Sequence, residues 1–260
     1  MEEWRDGWYR RTLRLGGGPA VAALRPSADQ IDCRLWLASR GDREEAVARC
    51  RWLLDLDADS QLIERHLGGD HRLAPLVDRV PGRRVPHTVD PEEMAVRAVL
   101  GQQVSTAAAQ THASRLVIAH GEPIEDPGGG LTHLFPTTEA LTALDPEALA
   151  LPRSRRTTLI TLVRELAGGV DLGHQDARAQ LSALPGFGPW TVETIAMRAL
   201  GDPDAFLVGD LGVAKAAKVL GLPTTPAALT AAAESWRPYR AYAVQYLWGS
   251  GDHAINRMPG

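Results

Sequence analysis

Leu184-Pro185-Gly186-Phe187-Gly188-Pro189-Trp190-Thr191 lies between two stretches of helical periodicity, and its reading decides the fold. Two glycines one residue apart let the backbone take positive φ and turn sharply, and Pro189 presets the first turn of the next helix. The expected product is a helix-hairpin-helix. With no bulky Cβ in the way its main-chain amides can approach a phosphate, and the start of the following helix adds partial positive charge. A lone Pro-Gly-x-Gly is also compatible with an ordinary tight helix connection, so the rest of the chain has to decide.

Outward from the hairpin the signals are helical. Asp90-Pro91-Glu92-Glu93 is a helix start with an N-cap acid, a proline at the first position and an acidic first turn, leading into Met94 to Leu100. Gly101-Gln102-Gln103-Val104-Ser105 breaks this helix before an Ala-rich one running to about His120, and Gly121 to Gly130 reads as a loop. Further helices are expected at Thr138 to Leu144, Ser154 to Ala167, Asp176 to Leu184, Pro189 to Leu200, Leu211 to Leu220 and Tyr239 to Trp248.

The first third of the chain has a different texture. Gln30 to Ala38 alternates, with Ile31, Cys33, Leu35 and Leu37 on one face, and Arg10 to Leu15 and Val21 to Leu24 are its expected partner strands, joined through Gly16-Gly17-Gly18-Pro19. Helical spacing resumes at Arg43 with Val47, Cys50 and Leu54 on one stripe, and a second helix is expected over Ser60 to Leu67. The Pro, Gly and Arg content of Val80 to Pro86 marks an exposed connection. The fold class is therefore mainly α, with a small N-terminal α/β domain and antiparallel sheet at 1–88 and a helical core at 89–260.

Composition narrows the function. The 260 residues are 44% hydrophobic and 23% charged, the balance of an ordinary globular protein. Apolar runs fall short of a membrane span, and the acidic N-terminus lacks the apolar core of a secretory signal, so a cytoplasmic location is expected. The two cysteines, Cys33 and Cys50, read as small core residues and cannot supply the four thiolates of an iron-sulfur cluster. No histidine spacing suggests zinc. The net charge of −4 speaks against a protein that holds nucleic acid through many Lys and Arg contacts. An anion site made of backbone dipoles escapes that objection.

Beyond the hairpin comes Ala205-Phe206-Leu207-Val208-Gly209-Asp210-Leu211, where an acid after glycine enters a helix. Alone, Asp210 reads as a cap. Together with the hairpin, with Arg97-Ala98-Val99-Leu100-Gly101-Gln102-Gln103-Val104-Ser105, and with Trp236-Arg237-Pro238-Tyr239-Arg240-Ala241-Tyr242-Ala243 up to Trp248, it resembles the helix-hairpin-helix DNA glycosylases, most closely the 3-methyladenine DNA glycosylase II branch. The resemblance runs over nearly the whole chain.

The resemblance implies that Asp210 is the catalytic carboxylate, stabilising an oxocarbenium-like sugar cation as an alkylated base departs from double-stranded DNA. It makes Trp190, Trp248, Thr194 and Leu211 the pocket for the flipped base, with core packing the competing role for the two tryptophans. Thr194 and Leu211 stand where relatives carry aromatics, so a less aromatic pocket is implied. Gln102 and Gln103, with Gly186, Phe187, Gly188 and Trp190, become DNA contacts; a relative has an apolar wedge at the Gln103 position, and a solvated turn is the other reading of both glutamines.

Bifunctional members of the superfamily carry a nucleophilic lysine where this chain has Trp190, and its only lysines are Lys215 and Lys218. A monofunctional enzyme leaving an abasic site is implied, with no iron-sulfur cluster. The resemblance also implies a monovalent cation, Na+ or K+, on the carbonyls of Ser182, Leu184 and Phe187. Arg153, Arg155 and Arg156 form the one basic cluster of the helical half, suited to phosphate contact or to a solvated helix start. The N-terminal domain is expected to lack the family's opening strand and helix, as in a piece of a fusion with an alkylation-response regulator. The alternative from another class is a non-catalytic helix-hairpin-helix DNA-binding module; a structural helical protein with an incidental hairpin is a third.

Overall fold

The computed structural model describes residues 1–251, so residues 252–260 of the expected core lie outside the described residues. Four strands open the chain: β1 (Glu2–Arg5), β2 (Trp8–Leu15), β3 (Gly18–Ser27) and β4 (Gln30–Leu37), paired antiparallel in that order. β2 and β3 meet in a register that pairs Leu15 with Gly18, so Gly16-Gly17 is the whole turn and Pro19 is already in the strand. β1 departs from the sequence expectation. It is turned onto β2 by Asp6-Gly7, both at positive φ, 51° and 77°. That is the geometry Asp-Gly favours in a two-residue hairpin.

One sheet face packs on α1 (Arg43–Leu53), with Leu13, Ala20, Ala22 and Leu24 against Ala46, Cys50 and Leu53. Cys50 is buried as expected, but Cys33 is exposed. The reason is position: β4 is an edge strand, and a residue there can face the core without being covered by it. The other face docks on the 122–135 segment. Buried Arg10 reaches the Gly129 carbonyl (2.7 Å) and Asp126 (2.6 Å), and Thr12 Oγ1 donates to the His133 carbonyl at 3.1 Å.

The remaining helices are α2 (Ser60–Leu67), α3 (Ala74–Arg79), α4 (Pro91–Leu100), α5 (Thr106–His120), α6 (Thr138–Thr142), α7 (Arg153–Ala167), α8 (Ala177–Ala183), α9 (Pro189–Arg198), α10 (Leu211–Val219), α11 (Pro226–Ala232) and α12 (Arg240–Gly249). Asp90 caps α4 as its sequence demands, with Oδ1 accepting from the amides of Glu92 (2.9 Å) and Glu93 (3.1 Å). α3 and α11, too short for a clear apolar stripe, were not expected.

Two apolar clusters share α9. Val192 and Ile195, with Ala199 just past the helix end, pack with α4, α5, α7 and α8, while Ala196 and Met197 pack with α2, α3, α10 and α12. α9 is thus the partition between two lobes. The hairpin stands at its start, and the loop leading to Asp210 follows its end.

Candidate active site

The hairpin turn is built from backbone. The Phe187 amide donates to the Leu184 carbonyl at 3.1 Å, closing a turn with Pro185 in second place and Gly186 in third at φ +84°. This is the arrangement in which proline and glycine are each suited to their position. Gly186 is required twice over, since a Cβ there would sit 2.1 Å from Thr158 Oγ1 on α7. Gly188 then caps α9 without a side-chain bond, and the amides of Gly186 and Gly188 donate to no other described backbone group. Both glycines are exposed, whereas the Phe187 side chain is buried in the core and anchors the turn. Among the described residues, no loop or cap amide donates to the carbonyls of Ser182 and Phe187.

Beyond α9, Asp210 caps α10, its Oδ1 accepting from the Val213 amide at 3.0 Å. The same oxygen accepts from Trp248 Nε1 at 2.8 Å, and Oδ2 accepts from Trp190 Nε1 at 3.1 Å. Three residues far apart in sequence therefore meet at one carboxylate. The two indoles do not simply fill space. With their N–H groups spent on Asp210 they fix its orientation, and its Oδ2 keeps acceptor capacity for another group.

Thr194 is buried (8% exposed), with its hydroxyl donating to the Trp190 carbonyl at 2.7 Å, and so offers a ligand little polarity. Leu211, 77% exposed, stands next to Asp210 in the chain.

Side chains that the sequence reading did not single out hold this site. The loop from Asp202 to Gly209 is strapped on both sides. Glu193 on α9 accepts from the Phe206 amide at 2.9 Å and pairs with Arg178 of α8, which also reaches Asp202. Burial works against the Arg178 charge, but the two acids outweigh it and raise its pKa. On the other flank Asp204 takes a bidentate bond from Arg240 (2.8 and 2.9 Å) and a contact from Arg237 (2.8 Å). None of these pairs has a spacing that sequence alone would single out.

On the opposite side of the hairpin, Gln102 Nε2 donates to the Gly186 carbonyl and to Thr191 Oγ1, both at 3.0 Å. Gln103 is exposed, at φ +55°. The arginine cluster breaks up: Arg156 pairs with Glu147, Arg155 is buried, and of the three only Arg153 is exposed. A basic patch is not what α7 presents.

Residues 1–90 match the model of the AlkA N-terminal domain. Over 95% of its length the chain is 31% identical to DNA-3-methyladenine glycosylase 2 of Escherichia coli, covering 87% of that protein. The chain belongs to the AlkA family of DNA-3-methyladenine glycosylases. It is also 53% identical, over 99% of its length, to a probable bifunctional transcriptional activator/DNA repair enzyme AlkA of Mycobacterium tuberculosis. It spans only about half, 53%, of that relative. Its fold matches the 3-methyladenine DNA glycosylase of Archaeoglobus fulgidus with a TM-score of 0.82 at 24% identity, over 95% of this chain and 88% of that one. The AlkA-type fold of a four-stranded sheet followed by a helical core is thus as the sequence reading expected, with one strand more. No helix among the described residues is long and apolar enough to cross a membrane.

Proposed function

We propose that this chain excises alkylated bases, 3-methyladenine and related N-alkylpurines, from double-stranded DNA by hydrolysing the N-glycosidic bond. The observation that carries the reading is the Asp210 carboxylate held by Trp190 and Trp248 beside an open hairpin. The hairpin amides of Gly186 and Gly188 and the first turn of α9 suit a phosphodiester, which a chain of net charge −4 can grip without basic side chains. Gln103 is the wedge that fills the stack once the damaged nucleotide leaves it.

The chemistry follows from the carboxylate. A 3-methylated adenine is cationic in the nucleotide, so breaking its bond to C1′ returns the electron pair to the ring and releases a neutral base. The sugar left behind is oxocarbenium-like, and Asp210 Oδ2 supplies the opposing charge. Water then adds at C1′ and gives up a proton, leaving an abasic site. The indole faces of Trp190 and Trp248 suit the cationic base through their π-electrons. Lys215 and Lys218 lie on α10, and the hairpin position that would need an amine is Trp190, so the strand is left uncut.

The carbonyls of Ser182, Leu184 and Phe187 fit a monovalent cation, since two of them have no loop or cap amide bound. Such an ion would add positive charge beside the phosphate. In the proposed division of labour residues 89–260 carry the chemistry and 1–88 brace it, and the enzyme works at the bacterial nucleoid without iron-sulfur chemistry. The reading extends to a transcriptional activator joined to this chain in a longer protein, as the name of the M. tuberculosis relative suggests; a native product no larger than this chain's 28.1 kDa would overturn that extension.

The test is base release from methylated duplex DNA by the wild type beside Asp210→Asn, with strand scission assayed separately. Methylated purines freed by the wild type alone, from uncut strands, is the expected result. No release by either, with DNA binding retained, would make the chain a binding module.

A further inference from the structure

We propose that Gln102 is a positioning residue: its carboxamide locks the Gly101–Ser105 turn to the hairpin and thereby aims Gln103 at the DNA. The inference rests on the glycosylase reading, in which the hairpin holds phosphate and the turn supplies the wedge.

The geometry separates two adjacent glutamines that look equivalent in the sequence. A carboxamide nitrogen has two N–H donors, and Gln102 spends one on the Gly186 carbonyl and one on Thr191 Oγ1, at 3.0 Å each. Both partners are well fixed. Gly186 sits at φ +84° against the wall of Thr158, and Thr191 is buried in the first turn of α9. Gln102 thus turns across to the protein. Gln103 turns outward, exposed and at φ +55°, a backbone conformation that a non-glycine residue keeps only where its surroundings over-determine it.

The surroundings do so from both ends. The Gly101 amide closes α4 onto the Arg97 carbonyl at 2.9 Å, and Ser105 opens α5 by accepting from the Ala108 amide at 3.3 Å. Between these caps the only side-chain hydrogen bonds from the turn to the rest of the described residues are those of Gln102. They end on the hairpin, so the spacing between phosphate grip and wedge is set before DNA arrives. A wedge positioned in advance replaces the departing base without having to be ordered during flipping.

The measurement is the ratio of affinities for a duplex bearing a tetrahydrofuran abasic analogue and for the same duplex undamaged. A 2-aminopurine opposite the lesion reports unstacking. Gln102→Leu should lower the ratio about 10-fold, roughly the worth of charge-neutral donors lost from a fixed geometry, while undamaged duplex binds as before. Gln102→Glu keeps the shape but cannot donate, and should behave alike. Thr191→Val removes one of the two acceptors and should cost less. Gln103→Ala should reproduce the loss, and adding Gln102→Leu to it should change little, because the strut acts only through the wedge.

An equal fall for both duplexes in the Gln102 variants would overturn the proposal, since Gln102 would then only support the hairpin. A normal ratio in Gln103→Ala would overturn it as well, making Gln102 itself the wedge. A wild type with no preference for the abasic duplex would do the same. A wild type that prefers abasic DNA but frees no base would sink the glycosylase reading and leave the strut standing.

Discussion

The two connections that flank α9 are built on opposite principles. Before the helix, the hairpin is shaped chiefly by its backbone: a proline, two glycines and a left-handed turn pressed against Thr158, with Phe187 as its buried anchor. After it, the loop to Asp210 is shaped by side chains, with Glu193 and Arg178 on one flank and Asp204 and Arg240 on the other. The first leaves amides open, which on the proposed reading take an anion. The second fixes an anion of its own. A site for a phosphodiester has to be bare, because any side chain in front of the amides would displace the ligand. A catalytic carboxylate has to be crowded, because its direction matters to the sugar cation it opposes.

The largest effect should come from the crowded side. Asp210→Asn removes the charge but keeps the shape of the side chain, and base release should fall at least about 100-fold, the scale of losing one preorganised electrostatic partner of a transition state. Binding to abasic DNA should survive, because the hairpin is untouched. Equal loss of both would mean that the two connections do not divide the work.

Gly186→Ala is the corresponding attack on the bare side. It adds a Cβ 2.1 Å from Thr158 Oγ1 at a φ of +84°, and about 1–3 kcal/mol of stability should go. Duplex affinity should drop with it, in gel shift and thermal melting alike. Combining it with Thr158→Ala should recover the steric part and leave the backbone part. Full recovery would mean that the turn does not need its left-handed residue.

A smaller effect separates positioning from binding. Asp204→Asn breaks the bidentate bond to Arg240, which is mostly buried, and loosens the loop that carries Asp210. Release should slow about 3- to 10-fold, consistent with roughly 1 kcal/mol lost from a charged hydrogen bond acting at second hand. Affinity for abasic DNA should not move. A change in affinity instead would place this flank in the DNA grip.

The same contrast explains what was legible in the sequence. The hairpin could be read because glycine and proline act locally, and α4 because Asp90 caps within its own turn. Asp210, Trp190 and Trp248 were singled out through the resemblance, but their meeting at one carboxylate was not foreseen. The straps were invisible: nothing near Asp204 points to Arg240, and nothing near Glu193 points to Phe206. β1 was missed although Asp6-Gly7 is a local hairpin signal, because its four residues carry no apolar alternation. Cys33 was placed on the correct face, yet the alternation could not tell that β4 is an edge.

The weakest expected effect tests whether the bare side is as bare as its side chains suggest. The carbonyls of Ser182 and Phe187 take no loop or cap amide, and the Leu184 carbonyl takes only the Phe187 amide. On the proposed reading, carbonyls left open in and beside the turn would repel the phosphate that the neighbouring amides attract, unless a cation offsets them. Exchanging Na+ or K+ for tetramethylammonium, too bulky to enter a turn, should therefore weaken duplex binding a few-fold. Ionic strength has to be held constant, because ordinary phosphate contacts respond to salt by themselves. Asp204→Asn should keep this sensitivity and Gly186→Ala should lose it, since only the second alters the turn. Equal sensitivity in both variants would assign the effect to the DNA's own counterions, and the hairpin would then grip through its amides alone.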